Sequence, residues 1–160
     1  MSAGARRATV YFDPHLHKAL RVKAAQTERS LSDLVNDAVR RILSEDADDL
    51  EAFEGRAKEP NFAFEDALRD LRKRGKHRVS VKPSAAKELE AVPKRDRQRI
   101  VRRIRGLSAE PRPVGSERLS GQERYRVRQG DCRVVYSIDD ETESVVVFKV
   151  GHRRLACKVS

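Results

Sequence analysis

The chain has 160 residues, enough for one domain or two small ones, with 35 Lys and Arg against 25 Asp and Glu. The net charge of +10 and a pI near 10.1 point to an anionic partner, nucleic acid before any other. No apolar run approaches the roughly 18 residues of a bilayer span, and the opening MSAGARRATVYF is too short and polar for a secretory signal. Cys132 and Cys157 make no CxxC or ligand spacing and are expected as reduced thiols of a cytoplasmic protein, with no metal and no cofactor. With 5% aromatic and 38% charged residues any single core is small, so partner surfaces are expected to contribute to stability.

Charge divides the chain into three parts. Residues 1–44 carry eight Lys/Arg against four Asp/Glu, residues 45–70 three against ten, and residues 77–160 twenty against eleven. A basic head, an acidic middle and a more basic tail suggest that the middle neutralises one of its neighbours.

In chain order, RATVYFD (7–13) alternates, with Ala8, Val10 and Phe12 on one face and Arg7, Thr9 and Tyr11 on the other, as in one half-buried strand. Asp13-Pro14 opens a helix to about Gln26, with Asp as cap and Pro at the first helical position. Ser30 with Asp33 starts a second helix, whose apolar stripe runs through Leu31, Leu34, Val35, Ala38, Val39 and Ile42. A lone strand leaves its backbone groups unpaired, so two copies are expected to pair strands antiparallel. The ribbon would present Arg7, Thr9 and Tyr11 twice to a DNA major groove, with the helix start at Ser30 and Leu31 facing a phosphate. On RATVYFDP and TERSLSDLVNDAVRRIL, the segment resembles the ribbon-helix-helix repressors in their antitoxin variety. That resemblance implies operator DNA as partner and a homodimer through the N-terminal strand.

The acidic middle, EDADDLEAFEGRAKEP, holds only Leu50 and Phe53 as sizeable anchors. NFAFEDALRDLRKRGK follows, with Phe62, Phe64, Leu68 and Leu71 spaced for a short amphipathic helix over about 62–73. Alone, the segment lacks the apolar surface to offset ordering and is expected to fold onto a basic partner. It resembles the toxin-wrapping tail of RelB-like antitoxins, which implies that these four residues neutralise a toxin.

In the last part, Val79 and Val81 mark a strand. Pro83 starts a helix with Ala86, Leu89 and Val92 inward, and Pro93 starts another with Ile100, Val101, Ile104 and Leu107 inward. Three strands follow, at about Tyr125–Gln129, Cys132–Asp139 and Ser144–Val150, with Gly-Asp and Asp-Asp-Glu turns. Alternation puts Arg126 and Arg128 on one face, Arg133 opens the next strand, and Arg153 and Arg154 follow the last; such a gathering of guanidinium groups suits phosphate. The order β-α-α-β-β-β predicts an α+β sandwich with two helices on one sheet face.

These 84 residues, 77–160, look like the RelE/ParE toxin superfamily, nearer its RelE branch. The carriers are VKPSAAKELEAVP, the Pro-Arg-Pro turn, RLSG, YRVRQGDCRVVYSIDDE and VGHRR. The resemblance implies metal-independent cleavage of messenger RNA on the ribosome, with the RNA's own 2′-hydroxyl as nucleophile. Arg126, Arg128, Arg133 and Arg153 would neutralise the scissile phosphate, a role that suits a cation which never deprotonates. His152 reads as a surface residue. Family members commonly end on a proton-transferring tyrosine, and this chain has Cys157 in its place, which implies an impaired nuclease.

Antitoxin-like and toxin-like parts follow one another without a Gly/Ser linker. Met1 is the only methionine, so the toxin-like part is expected always to be made with its inhibitor. From Arg74 to His77 the chain spans at most about 10–14 Å, leaving inhibition within one chain or across a swapped dimer open. The expectation is therefore three domains, 1–45, 46–76 and 77–160, in a fused, self-inhibited toxin–antitoxin protein. Two other readings stand beside it: a repressor with a dead toxin-like domain, and a gyrase-poison module held inactive.

Overall fold

The computed structural model describes residues 4–64 and 77–152. They fall into two compact units, 1–45 and 46–160. The mixed α+β class predicted above is the class observed.

In the first unit, α1 spans Pro14–Thr27, and α2, which begins there, spans Leu31–Gly55. Asp13 caps α1, its carboxylate accepting from His15 N at 2.9 Å and Leu16 N at 3.3 Å, with Pro14 in the first turn where no N–H is needed. Glu28 ends α1 in the left-handed conformation (φ 55°), and Ser30 Oγ accepts from Asp33 N at 3.0 Å to start α2. Residues 5–13 form no strand within the single chain, because a strand exists only when its backbone finds a partner. Leu34 is the one buried side chain among the described residues of this unit.

The second helix, whose end the stripe to Ile42 left open, continues through the acidic middle. It runs 25 residues to Gly55, since nothing from Leu31 to Glu54 is Gly or Pro, and Gly55 with Pro60 beyond supplies the stop. Two expectations need correction. Residues 62–63 are a short strand and not the start of a helix; Phe64 is helical, and the remainder of the expected helix, with Leu68 and Leu71, lies outside the described residues. The sheet has six strands where four were expected.

The strands are β1 (Phe62–Ala63), β2 (Arg78–Val81), β3 (Glu117–Ser120), β4 (Arg124–Gln129), β5 (Cys132–Asp139) and β6 (Ser144–His152), ordered β1-β2-β6-β5-β4-β3. Only β2 and β6 run parallel, joined through α3 (Pro83–Ala91) and α4 (Lys94–Gly106) and the later strands; every other pair is antiparallel. One sheet face, bearing Val79, Val81, Val127, Val134, Tyr136 and Val147, closes over Ala85, Val92, Ile100, Ile104 and Leu107 to make the core. Tyr136 is fully buried there, and its hydroxyl donates to Pro111 O at 2.7 Å, which fixes the Pro-Arg-Pro turn on the sheet. Burial pushes the Cys132 thiol up to about 11, so it stays protonated at neutral pH. Cys157 lies outside the described residues.

The register of β5 on β6 slips between Val135 and Tyr136, so that Val135 faces Lys149 while Tyr136 faces Val147, and Phe148 is left as a bulge.

Candidate functional site

On the sheet face opposite the core, cross-strand register sets Arg126 beside Val135 and Lys149, and Arg128 beside Arg133 and Gly151. Residues directly opposite in an antiparallel ladder share a face, so four cations gather on three adjacent strands. Like charges this close are costly unless anions answer them.

The answer comes from the C-terminal half of α2. Asp49 has no exposure at all, and three cations converge on its carboxylate. Arg133 Nε donates to both oxygens at 3.0 and 2.9 Å, Arg126 Nη1 stands 3.1 Å from Oδ2, and Lys149 Nζ stands 3.2 Å from Oδ1. Arg126 also reaches Asp46 at 2.8 Å and Glu117 at 2.9 Å, and Arg128 Nε lies 3.3 Å from the second oxygen of Glu117. Burial alone would raise the Asp49 carboxyl, but hydrogen bonds and charge from Arg133, Arg126 and Lys149 hold it below its ordinary value of 3.8.

The same helix face makes the apolar contacts. Asp49, Ala52, Phe53 and Arg56 recur at helical spacing and so point one way. Phe53 is 3% exposed; its ring lies 4.7 Å from that of Phe148, the bulged residue, and the Arg124 guanidinium covers it at 4.8 Å. Arg56 donates to the carbonyl of Phe148 at 2.8 Å and pairs with both oxygens of Glu88 at 2.7 and 3.0 Å. Beyond the helix, Glu59 accepts from Ser84 N at 2.9 Å and Ser84 Oγ at 2.6 Å, capping α3, whose own N-cap Lys82 offers no side-chain cap. Lys82 instead donates to Glu59 O at 2.6 Å and Ala57 O at 3.3 Å. β1 then pairs with β2, and Phe64 is buried in the core. Residues 46–64 are therefore bound along their length to the sheet unit of their own chain.

The expected site residues divide accordingly. Arg126 (3% exposed) and Arg133 (7%) are buried under Asp49, whereas Arg128 lies at the rim with its side chain 47% exposed. Arg153 and Arg154 lie outside the described residues. His152, read as a surface residue, is in fact buried, because it completes β6 opposite Cys132. With Arg133, Lys149, Asp48, Glu51 and Glu88 it lines a cavity of about 420 Å³ beside the plug. Phe64 is buried, but Phe62 is 57% exposed. Arg7, Thr9 and Tyr11 are exposed ahead of α1, Ser30 is exposed at the start of α2, and Leu31 is half-buried behind it.

Sequence reasoning missed Asp46, Asp49, Glu117 and Lys149. A signal existed: the stripe Leu31, Leu34, Ala38, Ile42 continues at the same spacing as Glu45, Asp49, Ala52 and Arg56. Carboxylates stand in that stripe where leucines would, which marks a helix made to lie on a cationic surface. No His, Cys, Asp or Glu cluster suited to a metal ion occurs among the described residues. No helix among them is long and apolar enough to cross a membrane.

Asp49→Ala leaves buried cations unanswered and is expected to cost about 3–5 kcal/mol, with inorganic phosphate raising the melting temperature of the variant more than that of the parent. A carboxyl held below 3.8 stabilises the fold at every pH above that value and stops doing so only as pH falls through its lowered value. The plug's contribution to melting temperature is therefore expected to stay flat between about pH 5 and 8 and to fail only in strong acid. At Gly151 an added Cβ would sit 2.6 Å from Arg133 Nη1. Gly151→Ala must push that guanidinium off Asp49, and a loss of about 1–3 kcal/mol is expected on thermal unfolding.

Comparison with known proteins bears on both ends of the chain. Residues 1–61 match the RH3 domain, and residues 79–156 match the ParE toxin of type II toxin–antitoxin systems. No functionally curated protein matches. Among solved structures, the chain is similar to the RelBE2 toxin–antitoxin complex of Mycobacterium tuberculosis at 32% identity, over 47% of this chain and 95% of that one, with a TM-score of 0.43. It is similar to the archaeal RelE–RelB complex of Pyrococcus horikoshii at 27% identity, over 49% and 96%, with a TM-score of 0.44. For the intact E. coli RelBE complex the identity is 21%, over 46% and 93%, with a TM-score of 0.42. One chain thus joins an N-terminal RH3 domain, of the ribbon-helix-helix-like kind, to a C-terminal toxin domain of the ParE/RelE kind.

Proposed function

We propose that this is a self-inhibited toxin–antitoxin protein: residues 1–45 dimerise and bind operator DNA, residues 46–76 neutralise, and residues 77–160 form an endoribonuclease of the RelE kind. One observation carries the reading. Asp49, wholly buried, is held by Arg126, Arg133 and Lys149 together. A carboxylate answered by three cations stands in for a phosphodiester, whose negative oxygens ask for the same donors. While Asp49 is seated, RNA is excluded from that point.

With the helix lifted, the same cations would hold the scissile phosphate. The 2′-hydroxyl oxygen of the RNA attacks phosphorus, the bond to the 5′-oxygen breaks, and a cyclic phosphate and a 5′-hydroxyl result. Charge grows on the phosphoryl oxygens during that step, so donors fixed in advance accelerate it. Lys149 joins Arg126, Arg128 and Arg133 in this role. Arg153 is assigned to it by the family resemblance alone.

Proton transfer is the weak point. Tyr125 and Tyr136 lie on the core face of the sheet, with hydroxyls engaged by Glu123 at 2.8 Å and Pro111 O at 2.7 Å. Among the described residues of the second unit, no tyrosine stands by the guanidinium face. This favours a slow enzyme, and it supports as the second reading a repressor whose toxin domain has lost its chemistry.

The DNA role is supported by the first unit itself. Val10 (59%), Tyr11 (95%), Leu16 (53%), Val39 (49%), Ile42 (59%) and Leu43 (62%) are exposed in a unit with one buried side chain among its described residues, a surface for a second copy to cover.

Asp49→Asn in the full chain keeps the shape of the plug and removes its charge. It is expected to cleave ribosome-bound messenger RNA where the parent does not, at a rate about 10²–10⁴-fold below that of relatives with a positioned proton donor. A folded variant that binds RNA and cleaves none would leave the repressor reading in its place. Arg7→Ala with Tyr11→Ala is expected to abolish the shift of a palindromic operator and leave the cleavage phenotype of Asp49→Asn intact.

A further inference from the structure

Seven arginines of the second unit are answered by carboxylates: Arg56 by Glu88, Arg112 by Glu123 and Asp140, Arg118 by Glu123, Arg124 by Glu54, Arg126 and Arg133 by Asp49, Arg128 by Glu117. One cluster stands apart from them. Helix α4 carries seven Lys/Arg and a single acid, Asp96, in thirteen residues. Its side chains Arg99, Arg102 and Arg103, with Gly106, Pro113 and Gln129, line a cavity of about 470 Å³ between the helix and the end of β4. No carboxylate lines it among the described residues, and Arg103 Nε is buried there without a hydrogen-bond partner. Arg99 lies one turn from both Arg102 and Arg103, a like-charge spacing that weakens a helix. The negative end of the helix dipole compensates Arg103 in the last turn, but it does not reach Arg99 in the middle.

We infer that this recess is a second phosphate site, one that takes the backbone of single-stranded RNA while Asp49 still plugs the sheet. Three guanidinium groups around one concavity provide a charged fork for phosphodiester oxygens, and the Gln129 amide adds a donor and an acceptor for sugar or base. The recess admits the phosphate and sugar of a flexible strand; a duplex, stiff and wide, can only touch its mouth. Successive residues of a strand take opposite faces, so Arg128 and Gln129 put the β4–β5 turn between the recess and the guanidinium face. An RNA strand crossing that turn runs from the recess to the rim of the plugged site. The inhibited protein would thus already hold RNA, and release of the plug would act on a bound strand. The inference does not depend on the proposed cleavage, because Asp49 remains seated in every arm of the test.

The experiment uses the full chain and a labelled single-stranded RNA, with duplex DNA of equal length and pyrophosphate as further probes, read by fluorescence anisotropy across salt. Arg99→Ala with Arg102→Ala changes two side chains of the recess; Lys94→Ala with Arg95→Ala removes the same charge from the same helix outside it. The recess pair is expected to weaken RNA binding about tenfold and to lower the salt slope by about 1.4, near 0.7 for each phosphate no longer held. The outer pair is expected to change binding less than twofold, and pyrophosphate to compete in the parent and the outer pair but not in the recess pair. Equal weakening by both pairs, or none by the recess pair, would mean a solvated basic face and overturn the site. An equal weakening for duplex DNA would overturn its assignment to a single strand. Matching melting temperatures for the two pairs and the parent establish that the differences are in binding.

Discussion

A carboxylate removed from water can stay ionised only if cations replace the water, and Asp49 is kept charged by Arg126, Arg133 and Lys149 drawn from three neighbouring strands. The dependence runs both ways. Without Asp49 the sheet would keep Arg133 and Lys149 beside Arg126 with their shared carboxylate gone, so this face of the domain is built around the helix that covers it. Exchanging that carboxylate for a phosphate is close to neutral in electrostatic terms, since both are oxyanions presented to the same donors. The proposed inhibition would need no distortion of the site, only a tethered anion at a higher effective concentration than a diffusing one, which a shared polypeptide supplies.

The tether is also fastened at points away from Asp49. Phe53 on the bulged Phe148, Arg56 on Glu88, Glu59 at the start of α3 and the short pairing of β1 with β2 follow one another along residues 53–63. Glu59 is instructive because it supplies the N-cap acceptor that α3 lacks, so the acidic segment completes a secondary-structure element of the domain that follows it. Phe64 goes further, since it is one of the core residues. Loss of this segment would therefore both expose the guanidinium face and weaken the fold. A segment that is part of the core is held by more than its affinity for those cations.

Much of this was legible in the chain. β4 was visible because Tyr and Val alternate with Arg, and β5 and β6 because they are runs of β-branched and aromatic residues, with turn residues separating all three. The caps at Asp13 and Ser30 were visible because their chemistry is local. β1 and β3 were not, at two and four residues, since so short a strand is defined by its neighbour's free edge more than by its own pattern. The end of α2 was missed for a different reason. Hydrophobic periodicity fades where the helix meets cations instead of a core, although the spacing of its inward residues does not change. Arginines were the visible half of the site, and their partners were hidden in a segment whose acidity looked like solvation.

The bulge at Phe148 shows how one irregularity can serve both halves of the site. An unbroken ladder between β5 and β6 would send Val147, Phe148 and Lys149 to alternating faces, with Val147 and Lys149 together. The slipped register lets Val147 enter the core beside Tyr136 while Lys149 lies beside Val135 on the opposite face, reaching Asp49. The residue between them turns its ring to Phe53 and its carbonyl to Arg56. The apolar anchor thus comes from one extra residue in β6. Removing it would restore a regular strand with Lys149 still opposite Val135, but would take the ring from Phe53 and the carbonyl from Arg56. The irregularity therefore holds residues 53–56 to the sheet and is not only a matter of packing within it.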